Sequence, residues 1–304
     1  MKEIICRSGT VQGSKHMKLD INNQDAVLMS EFQVQAFKKT YRLGLVSDGC
    51  TGIPAFSNSE VGSRLLTTFS FGRIQDLICW GASIEEIPLL LFRSSADFLR
   101  NLALQVMPSN ISWNYPMKFD GEQLFRNTMS ATERFKIDYL SATLLGFISD
   151  GEKIVVFSAG DGVIIVNDEI EIIDQNDRPK YPVLSINDAK SGFIIKSYTQ
   201  SEVERLLIST DGIEKLLQLE GFIDEIFGRP NNPLGIKATL KRHRKDHPEL
   251  MEDDCTAIVF QQIDIPEPEP PKQIEEPKKE EDKKPIVEEK KGGLFSFRKK
   301  DTQK

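Results

Sequence analysis

A chain of 304 residues has room for one large domain or two smaller ones. Its 39 basic and 46 acidic residues leave a formal net charge of −7, which argues against duplex DNA as the main partner. Four cysteines with no C-x-x-C spacing suit a reduced, cytoplasmic protein better than a disulfide scaffold or a zinc site, Met1–Arg7 lacks a signal peptide's apolar core, and no apolar run is long enough to span a bilayer.

In chain order, residues 3–12 alternate as a strand and 13–20 read as a polar loop. Ala26–Phe37 and Tyr41–Ser47 are strands joined by a hairpin turn at Lys38-Lys39-Thr40. Ser57-Asn58-Ser59-Glu60 opens a helix whose Val61, Leu65, Leu66 and Phe69 recur at helical spacing. A second helix starts at Ser83-Ile84-Glu85-Glu86 and runs to about Met107. Residues 108–121 read as a loop and 122–137 hold a short helix. Tyr139–Ile148, Ile154–Ala159, Val163–Val166 and Glu169–Ile173 are short apolar strands split by turns, the pattern of an antiparallel meander. After a loop at 174–191 come strands at Phe193–Ser197 and Val203–Thr210, helices at Ile213–Leu219 and Leu234–Arg244, and a last strand at Thr256–Gln262. The order predicts an α+β protein with sheets inside and helices outside. His243 and His247 fall on a basic helix read as a solvated face, with phosphoprotein docking as the alternative.

Two regions follow: a folded domain over 1–262 and a tail over 263–304. The tail is rich in Pro, Glu and Lys and too poor in apolar residues to offset the entropy of ordering. Its end, Leu294-Phe295-Ser296-Phe297-Arg298-Lys299-Lys300, reads either as a solvated terminus or as a contact for a partner or an anionic surface.

The stretch that organises the domain is Gly44-Leu45-Val46-Ser47-Asp48-Gly49. An apolar strand delivers a carboxylate to the rim of a sheet, and glycine permits the sharp turn that follows. Asp-Gly is also the commonest turn dipeptide, so a plain turn stays open at this point. The pattern recurs at Asp161-Gly162 and Asp211-Gly212, and Asp253-Asp254 precedes the last strand. Carboxylates with only three histidines and no cysteine loop point to hard, oxygen-seeking cations. A Cys-x5-Arg loop and a Gly-x4-Gly-Lys-Ser/Thr loop are both absent from the sequence. What remains is a centre in which a pair of cations lowers the pKa of water and neutralises a phosphoryl group.

Six stretches in sequence order, Asn23-Gln24-Asp25-Ala26, Val46-Ser47-Asp48-Gly49, Ser141-Ala142-Thr143, Ser158-Ala159-Gly160-Asp161-Gly162, Ser209-Thr210-Asp211-Gly212 and Asp253-Asp254-Cys255-Thr256, make the chain resemble the bacterial PP2C-like (PPM) metal-dependent serine/threonine protein phosphatases. The resemblance implies an α/β/β/α sandwich, two central antiparallel sheets flanked by helices. It implies two Mg²⁺ or Mn²⁺ ions and a weaker third, and hydrolysis of phosphoserine and phosphothreonine by direct attack of cation-bound water. Asp48 would bridge the ions with the Gly49 carbonyl beside it. Asp211 and Asp253 would complete one shell, with Asp254 ranked behind them. Asp25 would hold water near the second ion, and Asp161 would hold the third. Asp48 and Asp25 are the catalytic carboxylates on this reading. Phosphoprotein substrates and a serine/threonine kinase are the implied signalling partners.

The chain departs from the family pattern at several points. The segment before Asp25 has no arginine to grip phosphate, so Lys18 or His16 is expected there, and a lysine offers a point charge in place of a two-pronged grip. Cys50 stands where many eukaryotic members carry a histidine, and Gly162 where a serine is usual. None of these removes an implied cation ligand. The missing arginine supports an alternative, a catalytically weak phosphoprotein-binding or regulatory module.

Overall fold

The computed structural model describes residues 2–50, 58–107, 130–175, 180–184 and 192–264. Strand β1 (Lys2–Val11) leads into a short helix α1 (Ser14–Lys18), then the hairpin β2 (Ala26–Val34) and β3 (Lys39–Ser47). Helices α2 (Glu60–Cys79) and α3 (Ile87–Val106) follow, then α4 (Ala131–Phe135) with a π turn over Lys136–Leu140. Strands β4 (Leu144–Ser149), β5 (Lys153–Ala159), β6 (Gly162–Val166), β7 (Glu169–Ile173), β8 (Ile194–Thr199) and β9 (Arg205–Ser209) come next. A 3₁₀ segment (Asp211–Gln218), α5 (Phe222–Phe227), α6 (Gly235–Asp246) and β10 (Cys255–Asp264) close the described chain.

The strands form two five-stranded antiparallel sheets, one ordered β1-β10-β9-β6-β7 and the other β2-β3-β4-β5-β8. Alternation along each strand sorts its apolar residues between two layers. Val46, Leu145, Phe147, Ile208, Ile258 and Phe260 fill the layer between the sheets. Leu43, Leu45, Ile148, Val155 and Phe157 point the other way, against Leu66, Ile74, Leu91 and Leu99 of α2 and α3. Val163, Leu207, Ala257 and Val259 likewise meet α5, α6 and the 3₁₀ segment through Phe222, Ile226, Ile236 and Leu240. The result is the expected α/β/β/α sandwich. It explains why β4 and β6 read as unbroken apolar runs: helices cover the outer faces, so both faces are buried.

Several local expectations change. The meander is divided: β4 pairs with β5 and β6 with β7, but the two pairs lie in different sheets. The crossing is made at Gly160, whose φ of +97° places it in the left-handed region that glycine tolerates. Tyr139 and Leu140 are helical and not part of β4, because Phe135 and Tyr139 stack one helical turn apart at 4.9 Å. The polar loop after β1 contains α1, and the helix α5 is too short for its periodicity to be read in advance. His243 is buried, with Nε2 2.7 Å from Glu225 Oε2 and its ring edge-on to Phe222, so that side of α6 packs on α5 and is not solvated. The second long helix begins at Ile87, after Ser83 and Glu86 pair through the Ser83 N–H and hydroxyl.

Strand β10 continues two residues past the expected boundary at 262, and all described residues lie in one compact unit, Met1–Ile265. The expected loop at 108–121 and the tail from 265 onward lie outside the described residues. No helix among the described residues is long and apolar enough to cross a membrane.

Arg7 joins the first strand to the distant helix α5. It is 2% exposed, and its guanidinium donates to the carbonyls of Phe227, Gly228 and Arg229 at 2.8–3.0 Å. These are carbonyls at the C-terminal end of α5 that lack helical partners. Arg7→Ala should therefore cost about 2–4 kcal/mol in urea unfolding with an unchanged slope, since it takes the donor from the Phe227 and Gly228 carbonyls and leaves a small void, while the Arg229 carbonyl keeps the Asn232 N–H. Wild-type stability in that variant would show that the cap carries no load.

Candidate metal centre

Asp48 leaves β3 at the rim of its sheet. Thr143 holds its backbone from both sides: the Asp48 N–H donates to Thr143 Oγ1 at 2.9 Å, and the Thr143 N–H donates to the Asp48 carbonyl at 2.9 Å. Gly49 donates its N–H to the Gln24 carbonyl at 3.2 Å, and its own carbonyl accepts the Ser59 hydroxyl at the head of α2. A Cβ on Gly49 would lie 2.5 Å from the Ser59 carbonyl oxygen, so the turn accepts only glycine. The motif Ser141-Ala142-Thr143 thus acts as a clamp that fixes the direction of Asp48.

The other carboxylates arrive from both sheets. Asp25 precedes β2 and is 5% exposed. The Thr210 hydroxyl donates to its Oδ2 at 2.9 Å, while no donor among the described residues reaches its buried Oδ1. Asp211 opens the 3₁₀ segment after β9, and Asp253 stands just before β10. The Gly212 position lies so close to the Asp254 carbonyl oxygen that a Cβ would sit 1.9 Å from it, which binds the Asp211 turn to the Asp253 loop. Asp161 accepts the Gln175 N–H at 2.7 Å and lies near enough to Asp211 to influence its ionisation.

Electrostatics place these groups in one cluster. Burial, then the Asp254 charge, raises Asp25 to about 8. Burial and the charges of Asp25, Asp211 and Asp253 hold Asp48 well above the carboxylate range, and its carboxyl is within hydrogen-bonding reach of Asp25. Burial, then Asp253 and Asp161, raises Asp211 to about 6. Among the described residues, none of the largest influences on these three comes from a basic side chain. The carboxylates repel one another and share protons that a divalent cation would displace. An all-oxygen donor set with an orphaned buried oxygen suits a hard cation.

Asp254 does something different. Its Oδ1 accepts the Gly13 N–H at 2.7 Å and its Oδ2 accepts the Gln24 N–H at 2.6 Å. It is 2% exposed and ties the chain before β10 to Gly13 at the head of α1 and to Gln24 beside Asp25. His16 is also buried, and Asp254, the strongest influence, raises its pKa. Only the Asp253-Asp254 pair hinted at this anchor, and its partners lie far away in sequence. A cavity of about 250 Å³ opens beside the cluster, lined in part by Lys15, His16, Asp211, Glu214, Lys215 and Asp253. Lys18 is exposed and does not line that cavity; Lys15, one turn earlier, does. Cys50 Sγ lies 3.3 Å from Asp48 Oδ2, and burial together with the Asp48 charge keeps the thiol protonated.

Residues 12–242 match the family model described as protein phosphatase 2C. Among solved structures, the Mycobacterium tuberculosis serine/threonine phosphatase PstP/Ppp is 13% identical, with a TM-score of 0.53 and 85% of this chain and 98% of that one covered. The catalytic domain of PstP in complex with two manganese ions is 14% identical, with a TM-score of 0.52 over 86% and 100% of the two chains. Serine/threonine phosphatase Stp1 from Staphylococcus aureus is 12% identical, with a TM-score of 0.52 over 86% and 96%. No curated protein matches the chain. With the family model spanning most of its length, the chain belongs to the protein phosphatase 2C family.

Proposed function

We propose that this chain is a Mg²⁺- or Mn²⁺-dependent phosphatase that hydrolyses phosphoserine and phosphothreonine in proteins. The observation that carries the reading is the convergence of Asp25, Asp48, Asp211 and Asp253, from four separate parts of the chain, into one mutually repelling cluster. Asp48 with the Gly49 carbonyl, Asp211 and Asp253 would hold two cations, and Asp161 with Asp211 a third. Bound there, the cations would lower the pKa of water and neutralise charge on the phosphoryl group.

The side chains of this protein do the rest. Asp25, held by the Thr210 hydroxyl, would accept a proton from water once the cations have displaced its own. Lys15 and Lys215 rim the cavity and would supply positive charge toward the phosphate, Lys215 while paired with Glu252 at 3.2 Å. The neutral Cys50 thiol donates toward Asp48 and orients it. The four cysteines are unpaired, which suits the reducing cytoplasm. A kinase that phosphorylates the same proteins is the partner this activity implies.

Phosphate release from phosphothreonine peptides should appear with Mn²⁺ or Mg²⁺ and vanish in EDTA. Equal activity in EDTA would remove the proposal. A second reading, a phosphoprotein-binding module with weak turnover, draws on one observation: among the described residues the cavity lining includes Glu214 and Glu252 and no arginine. Calorimetry showing phosphopeptide binding without hydrolysis at saturating Mn²⁺ would favour it.

A further inference from the structure

Building on the proposed cation centre, we infer that His16 Nε2 is a nitrogen ligand to a cation held with Asp253, with Asp254 behind the ring as its outer partner. His16 is 9% exposed and sits on α1, whose position is set by the far end of the chain. The Ser14 N–H donates to the Met251 carbonyl at 2.7 Å and the Lys15 N–H to the Glu252 carbonyl at 3.0 Å. The Ser14 hydroxyl adds a bond to the Pro248 carbonyl at 2.6 Å. The imidazole is therefore registered against the loop that carries Asp253.

Its two nitrogens face different carboxylates. Nδ1 lies 3.0 Å from Asp254 Oδ2, at hydrogen-bonding distance but off the line of an ideal bond. Nε2 lies 3.6 Å from Asp253 Oδ1, and ligand atoms of His16, Asp253 and Asp254 all fall within 4.8 Å of one another. Asp254 already accepts two backbone N–H groups, so it is rigid and poorly free to bind a cation itself. A rigid carboxylate behind one ring nitrogen, with the other nitrogen open toward a cavity, is how proteins orient a ligating histidine. Asp253 is the exposed member, and together with His16 and Asp211 it lines that cavity. The 3.6 Å between Nε2 and Asp253 Oδ1 is short enough for both atoms to hold one cation.

The consequence is selectivity. An imidazole nitrogen favours Zn²⁺ and the later first-row cations and adds little for Mg²⁺, which keeps to oxygen. The chain would then prefer Mn²⁺, Co²⁺ or Zn²⁺ over Mg²⁺ more strongly than an all-carboxylate centre does. The competing occupant of the gap is a proton, with His16 an imidazolium bridging two aspartates.

Pulsed electron paramagnetic resonance on the full chain loaded with Mn²⁺ decides between them. The expected result is ¹⁴N coupling of a directly bound imidazole, lost in His16→Gln while Mn²⁺ remains bound to the carboxylates. Calorimetric affinity for Zn²⁺ should fall about tenfold or more in that variant, with Mg²⁺ affinity nearly unchanged. Bound Mn²⁺ without ¹⁴N coupling in the wild type overturns the inference, and so does coupling that survives in His16→Gln. The wild-type spectrum stands even if the variant fails to fold. Nitrogen coupling in a protein that hydrolyses no phosphopeptide keeps His16 as a ligand and removes the phosphatase; hydrolysis without coupling does the reverse.

Discussion

Asp48→Asn should lower phosphate release from a phosphothreonine peptide by about a thousandfold, roughly 4 kcal/mol in the barrier, at saturating Mn²⁺. The substitution keeps the size of the side chain and every backbone contact that Thr143 makes with residue 48. It removes the charge that the proposed centre needs most, because Asp48 is the carboxylate that feels Asp25, Asp211 and Asp253 together. A purely structural Asp48 would lose stability on substitution. An asparagine needs no proton to stay neutral among the other carboxylates, so the cation-free variant should unfold at a higher temperature than cation-free wild type at pH 8. Lower activity with higher cation-free stability is therefore the signature of a functional carboxylate. Unchanged turnover in Asp48→Asn would remove Asp48 from the chemistry.

The cation-free protein should lose stability steadily as pH rises from about 4 to above 8. Asp25, raised to about 8, and Asp211, raised to about 6, bind protons more tightly folded than unfolded, where the reference is 3.8. Groups of this kind contribute their full stability below the unfolded value and lose it as pH rises through the folded value. Asp48 and His16 are shifted upward as well, so they act with the same sign. A bound divalent cation replaces the shared protons and should reverse the trend. At a hundred times its dissociation constant each cation adds about 2.7 kcal/mol, or roughly 5–10 °C in melting temperature for a domain of this size. Differential scanning calorimetry at pH 5 and pH 8, with EDTA and with Mn²⁺, measures both effects. A cation-free melting temperature higher at pH 8 than at pH 5 would contradict the clustering of these carboxylates.

How far the sequence could be read depended on the range of the signal. The strand-end positions of Asp48, Asp211 and Asp161 were legible because each follows an apolar strand and precedes a glycine, a pattern confined to a few neighbours. The sandwich was legible from the order of elements and from six motifs in sequence order. The split of the presumed meander was not, because β4, β5 and β6 are buried on both faces and alternation carries no sheet assignment. The helical state of Tyr139 and Leu140 was hidden by apolar residues that suit strand and helix alike. Asp254 was ranked behind Asp253 because its role depends on Gly13 and Gln24, 241 and 230 residues away. That Lys15 and not Lys18 lines the cavity was not legible, since a loop reading of residues 13–20 gave no helical facing. His16 was singled out for phosphate, and its contact with two aspartates from the far end of the chain had no local trace.

The most direct measurement is an anomalous-scattering map from crystals soaked in Mn²⁺. The account predicts peaks about 2–2.5 Å from carboxylate oxygens of Asp48, Asp211 and Asp253. Manganese bound only elsewhere on the protein, with these three side chains free of it, would contradict the account.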